Sequence, residues 1–119
     1  MSISREVGAP GLAIIDTATL AVLLRSETPK VLLDARSEEY DNGERIPGAQ
    51  NLCPDSSAYE VDKAVKSKNS LVITYCSNLS CPASIKLNTH LRNLGYQNVL
   101  EYADGLAGWK AAGYPIEHA

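Results

Sequence analysis

With 119 residues, the chain has the length of one compact domain, and 45% hydrophobic residues can build its core without staples. Charged residues make up 21% and the formal net charge is −3, which excludes a disordered chain and argues against a nucleic-acid or anionic-membrane surface. No window approaches the roughly 18 uninterrupted apolar residues of a membrane span, and the opening run to Asp16 carries Glu6 and lacks the apolar stretch of a secretion signal.

The first residues, up to about Pro10, read as a flexible N-terminus ahead of a single domain spanning 1–119. Ala13 to Ile15 reads as a short strand. Asp16 or Thr17 then caps a helix with Leu20, Leu23 and Leu24 on one face, and Pro29 stops anything still helical. Val31 to Asp34 has the short apolar pattern of a buried parallel strand. Ser37 to Tyr40 reads as one helical turn closed by Asn42-Gly43, and Ile46-Pro47-Gly48-Ala49 as rigid loop before a short strand near Gln50 to Leu52. Ser57 and Glu60 have capping-box spacing, with Val61 and Val65 facing inward.

Leu71 to Tyr75 is the clearest strand, apolar and β-branched. Pro82 opens a helix that should reach Leu94, with Ala83, Leu87, Leu91 and Leu94 at helical spacing and Gly95 at its exit. Asn98 to Tyr102 reads as a last strand and Leu106 to Ala112 as a last helix. Strands alternating with helices predict an α/β fold with parallel crossovers and helices on both faces of a sheet.

The chemistry concentrates in the stretch from Leu71 through Cys76 to Cys81-Pro-Ala-Ser84. Cys76 falls at the carboxyl end of a central strand, the edge where open α/β sheets bind ligands. Loop amides and the following helix N-terminus make a partly positive concavity there. That field favours thiolate, the nucleophilic form, and would hold a persulfide anion or the oxygens of an oxyanion. A cysteine at a strand end is also a common core residue; the polar run Ser77, Asn78 and Ser80 favours an exposed one.

Cys76 to Ser84, entered from Ile73-Thr74-Tyr75, resembles the active-site loop of the rhodanese family, in which a cysteine opens a six-residue turn. Leu33-Asp34-Ala35-Arg36, Glu39-Tyr40 and Ile46-Pro47-Gly48-Ala49 resemble the family's upstream signature. Gly95-Tyr96, Val99 to Tyr102, Gly105, Trp109, Gly113 and Pro115 resemble its C-terminal one, so the likeness runs from about residue 12 to 117. It implies a three-layer α/β/α domain with a central, mostly parallel sheet of about five strands. It also implies a sulfurtransferase needing no metal or organic cofactor. The Cys76 thiolate would take the outer sulfur of a donor such as thiosulfate, release sulfite, and pass the sulfur to a thiol or cyanide. The substrate would be held by the amides of Ser77, Asn78, Leu79, Ser80 and Cys81.

One departure from the family pattern stands out. Many active members carry an arginine at the end of this loop, where it clamps an oxyanion through paired hydrogen bonds; here that position is Cys81. Thiosulfate should bind less well unless Arg45, Lys86 or His90 reaches the pocket, and a related phosphatase or arsenate-reductase activity, which depends on that arginine, is disfavoured. Cys81 reads either as a resolving thiol that closes a disulfide with Cys76 or as a small apolar residue in the first helical turn. Two cysteines without further ligands at suitable spacing make a zinc site a poor reading. Cys53 reads as structural, Asp34 and Arg36 as a structural pair at a strand end, His90 as a surface or core-edge residue, and Trp109 as core. Arg45 reads equally as a pocket cation and as a solvated loop charge.

Two functions follow. The first is a sulfurtransferase or persulfide carrier with an exposed, low-pKa Cys76, acting on small sulfur donors and thiol acceptors, a thiol-carrying partner protein among them. The second is a non-catalytic module that uses the fold as a redox sensor or protein-binding adaptor. Three cysteines, an odd number without framework spacing, fit a reducing compartment, so the cytoplasm is the expected location.

Overall fold

A computed structural model describes residues 12–119; the predicted flexible segment at the N-terminus lies outside the described residues. Strands β1 (Ala13–Ile15), β2 (Val31–Asp34), β4 (Gln50–Asn51), β5 (Leu71–Tyr75) and β6 (Asn98–Tyr102) form a five-stranded sheet in the order β1-β6-β5-β2-β4. Every pairing in it is parallel. The central strand β5 therefore sits between β6 and β2, and all five carboxyl ends share one edge.

Alternation along the strands sorts side chains into two cores. Leu33, Val72 and Val99 face helices α2 (Ala58–Ala64) and α3 (Ala83–Asn93), packing with Val61, Val65, Leu87 and Leu91. Leu32, Ile73, Tyr75 and Tyr102 face α1 (Thr17–Arg25) and α4 (Gly105–Ala111), packing with Leu20, Leu106 and Trp109. The result is the α/β/α sandwich expected from the alternating pattern.

The helices begin and end for local reasons. Asp16 caps α1 by accepting from the Thr19 amide at 2.8 Å, and Ser57 and Glu60 form a reciprocal capping box on α2. The N-terminus of α3, with Pro82 at the cap, has no side-chain cap. Packing holds it instead. Leu87 and Leu91 are fully buried, worth roughly 4 kcal/mol together against about 1 kcal/mol for a typical cap. At its other end Gly95, at φ +99°, lets the Gly95 amide reach the Arg92 carbonyl and the Tyr96 amide reach Leu91. That double closure ends the helix and turns Tyr96 into the core.

Polar anchors complete α3. Ser84 donates to buried Glu101 at 2.5 Å, Thr74 donates to the other carboxylate oxygen at 2.8 Å, and Asn88 donates to the Thr74 hydroxyl at 3.4 Å. Burial pushes the Glu101 carboxyl above the usual range, and the hydrogen bonds from Ser84 and Thr74 oppose that rise.

One local expectation is corrected, and one pairing has no counterpart in the sequence reading. Residues 37–40 form a single hydrogen-bonded turn, the Tyr40 amide donating to the Ser37 carbonyl at 2.9 Å, and no helix. In addition, β3 (Glu44–Arg45) pairs antiparallel with β7 (Glu117–His118) in a two-stranded sheet. These strands carry no alternating apolar residues, so nothing in their composition announces them. Backbone pairing and the Glu44–Lys110 ion pair, at 3.0 Å, hold them.

Candidate active site

Cys76 follows the last residue of β5, and its loop runs to Cys81 just ahead of α3. The first half of that loop is clamped from below by α4. The Cys76 carbonyl accepts from the Leu106 amide at 2.9 Å, and the Ser77 carbonyl accepts from Ala107 at 2.8 Å. Gly105 makes the approach possible. Its φ is +68°, and a Cβ there would lie 2.5 Å from the Cys76 carbonyl oxygen and 2.8 Å from the Asn78 nitrogen. In the second half, the Asn78 side chain accepts from the Ser80 amide at 2.9 Å and its carbonyl accepts from Cys81 at 3.2 Å. Among the described residues, the amides of Ser77, Asn78 and Leu79 have no such partner.

Cys76 and Cys81 are joined by a disulfide, with Cα atoms 6.1 Å apart. Two expectations change here. Cys76 is 2% exposed, because the α4 clamp, the sheet and the bond to Cys81 cover it, so it is not the exposed thiol anticipated. Cys81 is not in the first turn of α3, which begins at Ala83; it stands half-buried before the helix, opposite Cys76.

An open cavity of about 880 Å³ lies over the disulfide. Ser77, Asn78, Ser80, Cys81 and Lys86 line it, while Leu79 does not and is 73% exposed; the amides of Ser80 and Cys81, expected to hold substrate, donate to Asn78 instead. Arg45 is not part of it either. Its guanidinium is gripped by both carboxylate oxygens of Asp41 at 2.7 Å, and one nitrogen lies 3.6 Å from buried Asp34. These carboxylates capture Arg45 before it can serve as an oxyanion clamp. Asp41 in turn is held down to about 2, chiefly by the hydrogen bonds from Arg45, while burial pulls it the other way.

Arg36 lines the cavity, yet its guanidinium is committed. It donates to Asp34 at 2.8–3.1 Å, to the Asn42 side chain at 3.0 Å and to the Glu44 carbonyl at 2.5 Å. Asp34 and Arg36 are thus a buried structural pair. His90 lies outside the cavity with its Nε2 2.7 Å from the Ser56 carbonyl oxygen. Lys86 remains as the exposed cation on the cavity, facing a rim that also carries Glu38 and Asp55. Among the described residues no group of three His, Cys, Asp or Glu side chains is placed to hold a metal ion.

A strand-end cysteine, a turn closing onto a helix N-terminus, and a glycine-backed clamp from the next βα unit occur together at the ligand-binding edge of the sheet. A family model described as the rhodanese-like domain matches residues 17–112. The chain belongs to the rhodanese-like family.

Solved structures agree on the fold. The BH2092 protein from Bacillus halodurans is 24% identical with a TM-score of 0.76, over 87% of this chain and 75% of that one. Thiosulfate sulfurtransferase from Pseudomonas aeruginosa is 24% identical with a TM-score of 0.73, over 90% of this chain but only 20% of that longer protein. A rhodanese with anions from E. coli is 27% identical with a TM-score of 0.60, over 76% of this chain and 99% of that one. No match was found among curated proteins.

One further residue of this rhodanese-like chain, read from the sequence as structural, borders the cavity. Cys53, free and half-buried, lines the same cavity as the disulfide, its Sγ donating to the Arg36 carbonyl at 3.5 Å. Burial pushes its thiol up, and the nearby Asp55 carboxylate adds to the rise, so it is held as thiol at neutral pH. The available signal was topological. Cys53 follows β4 by two residues, and the carboxyl ends of β4 and β5 lie on one edge of a parallel sheet.

Proposed function

We propose that the chain is a sulfurtransferase, or persulfide carrier, acting through Cys76. The observation that carries this reading is the position of Cys76 at the carboxyl end of the central strand, facing the cavity ahead of the uncapped N-terminus of α3. Membership in the rhodanese-like family supports it, as does likeness to a rhodanese from E. coli.

In the reduced chain, the Cys76 thiolate attacks the outer sulfur of a donor such as thiosulfate. The new S–S bond forms on Cys76, the donor's S–S bond breaks, and sulfite leaves with the electron pair. The unpartnered amides of the loop and the field of α3 stabilise the resulting persulfide anion. A thiol, free or on a partner protein, or cyanide then takes the terminal sulfur.

The cavity chemistry bears on the donor. With Arg36 and Arg45 committed and Glu38 and Asp55 at the rim, a dianion meets one exposed lysine and two carboxylates. Thiosulfate is therefore a weak donor here, usable at high concentration. A reducing compartment such as the cytoplasm would keep Cys76 available as a thiol.

A second reading has its own observation. The Cys76–Cys81 disulfide favours a redox sensor or adaptor in which no sulfur is carried. Intact-mass measurement separates the two. Reduced protein is incubated with thiosulfate beside a Cys76→Ser variant, and the persulfide reading expects Cys76-dependent consumption of donor with sulfite released in step. Folded, reduced protein that neither releases sulfite nor gains sulfur, alone or as Cys81→Ser, would leave the sensor.

A further inference from the structure

We infer that Cys81 is a catalytic residue that discharges the Cys76 persulfide within the chain, releasing hydrosulfide and leaving the Cys76–Cys81 disulfide. This rests on the persulfide reading above and specifies its product.

The disulfide shows which atoms meet. The loop brings the Cys81 sulfur into bond with the Cys76 sulfur itself, at a Cα separation of 6.1 Å that lies within the ordinary range for a bridge. When a sulfane sulfur is added to Cys76, the atom that Cys81 is placed to attack is therefore the inner one. Attack there expels the outer sulfur. The Cys76–Cys81 bond forms, the bond between Cys76 and the sulfane sulfur breaks, and its electron pair leaves on the sulfane sulfur. The Cys81 proton departs with it as hydrosulfide. The sulfane sulfur is reduced by two electrons, and the two cysteine sulfurs are oxidised by one each.

The loop is built to permit this closure. Its Cys76 end is fixed by the Leu106 and Ala107 amides, whereas among the described residues the Cys81 amide bonds within the loop itself, to the Asn78 carbonyl, beside the Asx turn to Ser80. The fixed end carries the sulfur to be attacked and the looser end carries the attacker.

Resetting requires an external dithiol, and burial sets where it acts. Cys76 is 2% exposed, while Cys81 is half-buried on the cavity wall. The reductant reaches Cys81, forms a mixed disulfide there, and releases Cys76 as the thiolate. Its second thiol then frees Cys81 and leaves as the cyclic disulfide. Each cycle consumes one donor and one dithiol and delivers one hydrosulfide.

The decisive experiment is a single turnover. Fully reduced wild type and the Cys81→Ser and Cys81→Ala variants are freed of reductant, mixed with thiosulfate, and assayed for hydrosulfide, sulfite and intact mass. Wild type should release hydrosulfide and sulfite in equal amounts and end lighter by two hydrogens, while the Cys81 variants release sulfite, retain one sulfur and yield hydrosulfide only after thiol is added. Peptide mapping of the discharged wild type should find the Cys76–Cys81 disulfide and a free Cys53. Retention of sulfur by wild type without hydrosulfide, with the Cys81 variants also loaded, overturns the discharge and leaves the sulfurtransferase reading standing. No sulfur gain in the Cys81 variants and no sulfite from wild type overturns both. Acid-trapping the oxidised chain with a monothiol should place the adduct on Cys81, and an adduct on Cys76 would overturn the assigned order of attack.

Discussion

The two walls of the cavity are made by different physics. The wall formed by the Cys76 loop is a backbone construction, with carbonyls of β5's extension seated on the amides of α4 and a glycine at the point of contact. The facing wall, from the segments after β2 and β4, rests on a charge construction in which Arg36, which lines the cavity, is locked with Asp34, Asp41 and Arg45 outside it. The first holds its shape without ionisable groups, so it can carry reactive sulfur through changes of charge. The second spends both arginines on itself, which is why the cavity offers so little to a dianion.

The largest expected effect comes from breaking the backbone wall. Gly105→Ala adds a Cβ within 3.0 Å of three backbone atoms of the loop, at a positive φ. Strain and overpacking together should cost about 3 kcal/mol and abolish sulfur uptake. Gly113→Ala, also at positive φ but with nothing within 4 Å, controls for conformation alone and should cost about 1 kcal/mol. Equal urea midpoints for the two variants would remove Gly105 from its assigned role.

Weakening the charge wall should show as a dependence on pH. Asp41 sits at about 2, against an ordinary 3.8, so the unfolded chain binds its proton more readily than the folded one. Stability from this group is complete above about 4 and is lost as pH falls towards 2. Asp41→Asn should therefore cost at most about 2 kcal/mol at neutral pH, and urea titrations should show the gap to wild type closing on acidification. A gap independent of pH would mean that Asp41 acts by shape alone.

Smaller effects come from the rim. Lys86→Ala should raise KM for thiosulfate about threefold with kcat unchanged, as suits one exposed cation; an unchanged KM would take Lys86 out of donor binding. The smallest response belongs to Cys53. In native protein it should alkylate more slowly than in unfolded protein at neutral pH, because burial and Asp55 raise its thiol. Fast native labelling would contradict that environment.

The same contrast explains what was legible in the sequence. The loop half of the backbone wall is contiguous in the chain. Apolar Leu71 to Tyr75, the polar residues after Cys76 and the Pro82 start of α3 all announce themselves locally, and the disulfide was one of two open readings of Cys81. The charge wall comes from the single stretch Asp34 to Arg45, but its pairing is decided by how the segment after β2 folds back on that strand's end. Asp41 stands four residues before Arg45, yet charge spacing in a loop does not say which of several nearby carboxylates and cations will pair, and Cys53 reaches the cavity through the register of β4 against β2. The burial of Cys76 was missed for a similar reason, since its cover comes from Gly105 and Leu106, some thirty residues on. The β3–β7 pair escaped because strands of two residues carry no period.

Trp109 is the only tryptophan in the chain. It sits in α4, the helix that seats the Cys76 loop, with its ring stacked on Tyr114 at 4.5 Å and its Nε1 donating to the Pro115 carbonyl at 2.7 Å. The protein thus carries a single indole fluorophore, on the element that clamps its reactive loop. Emission from that one indole has no second source to average over, so a red shift on unfolding reports directly on the α4 face of the sheet. Unlabelled protein is enough to follow it in real time, in either redox state.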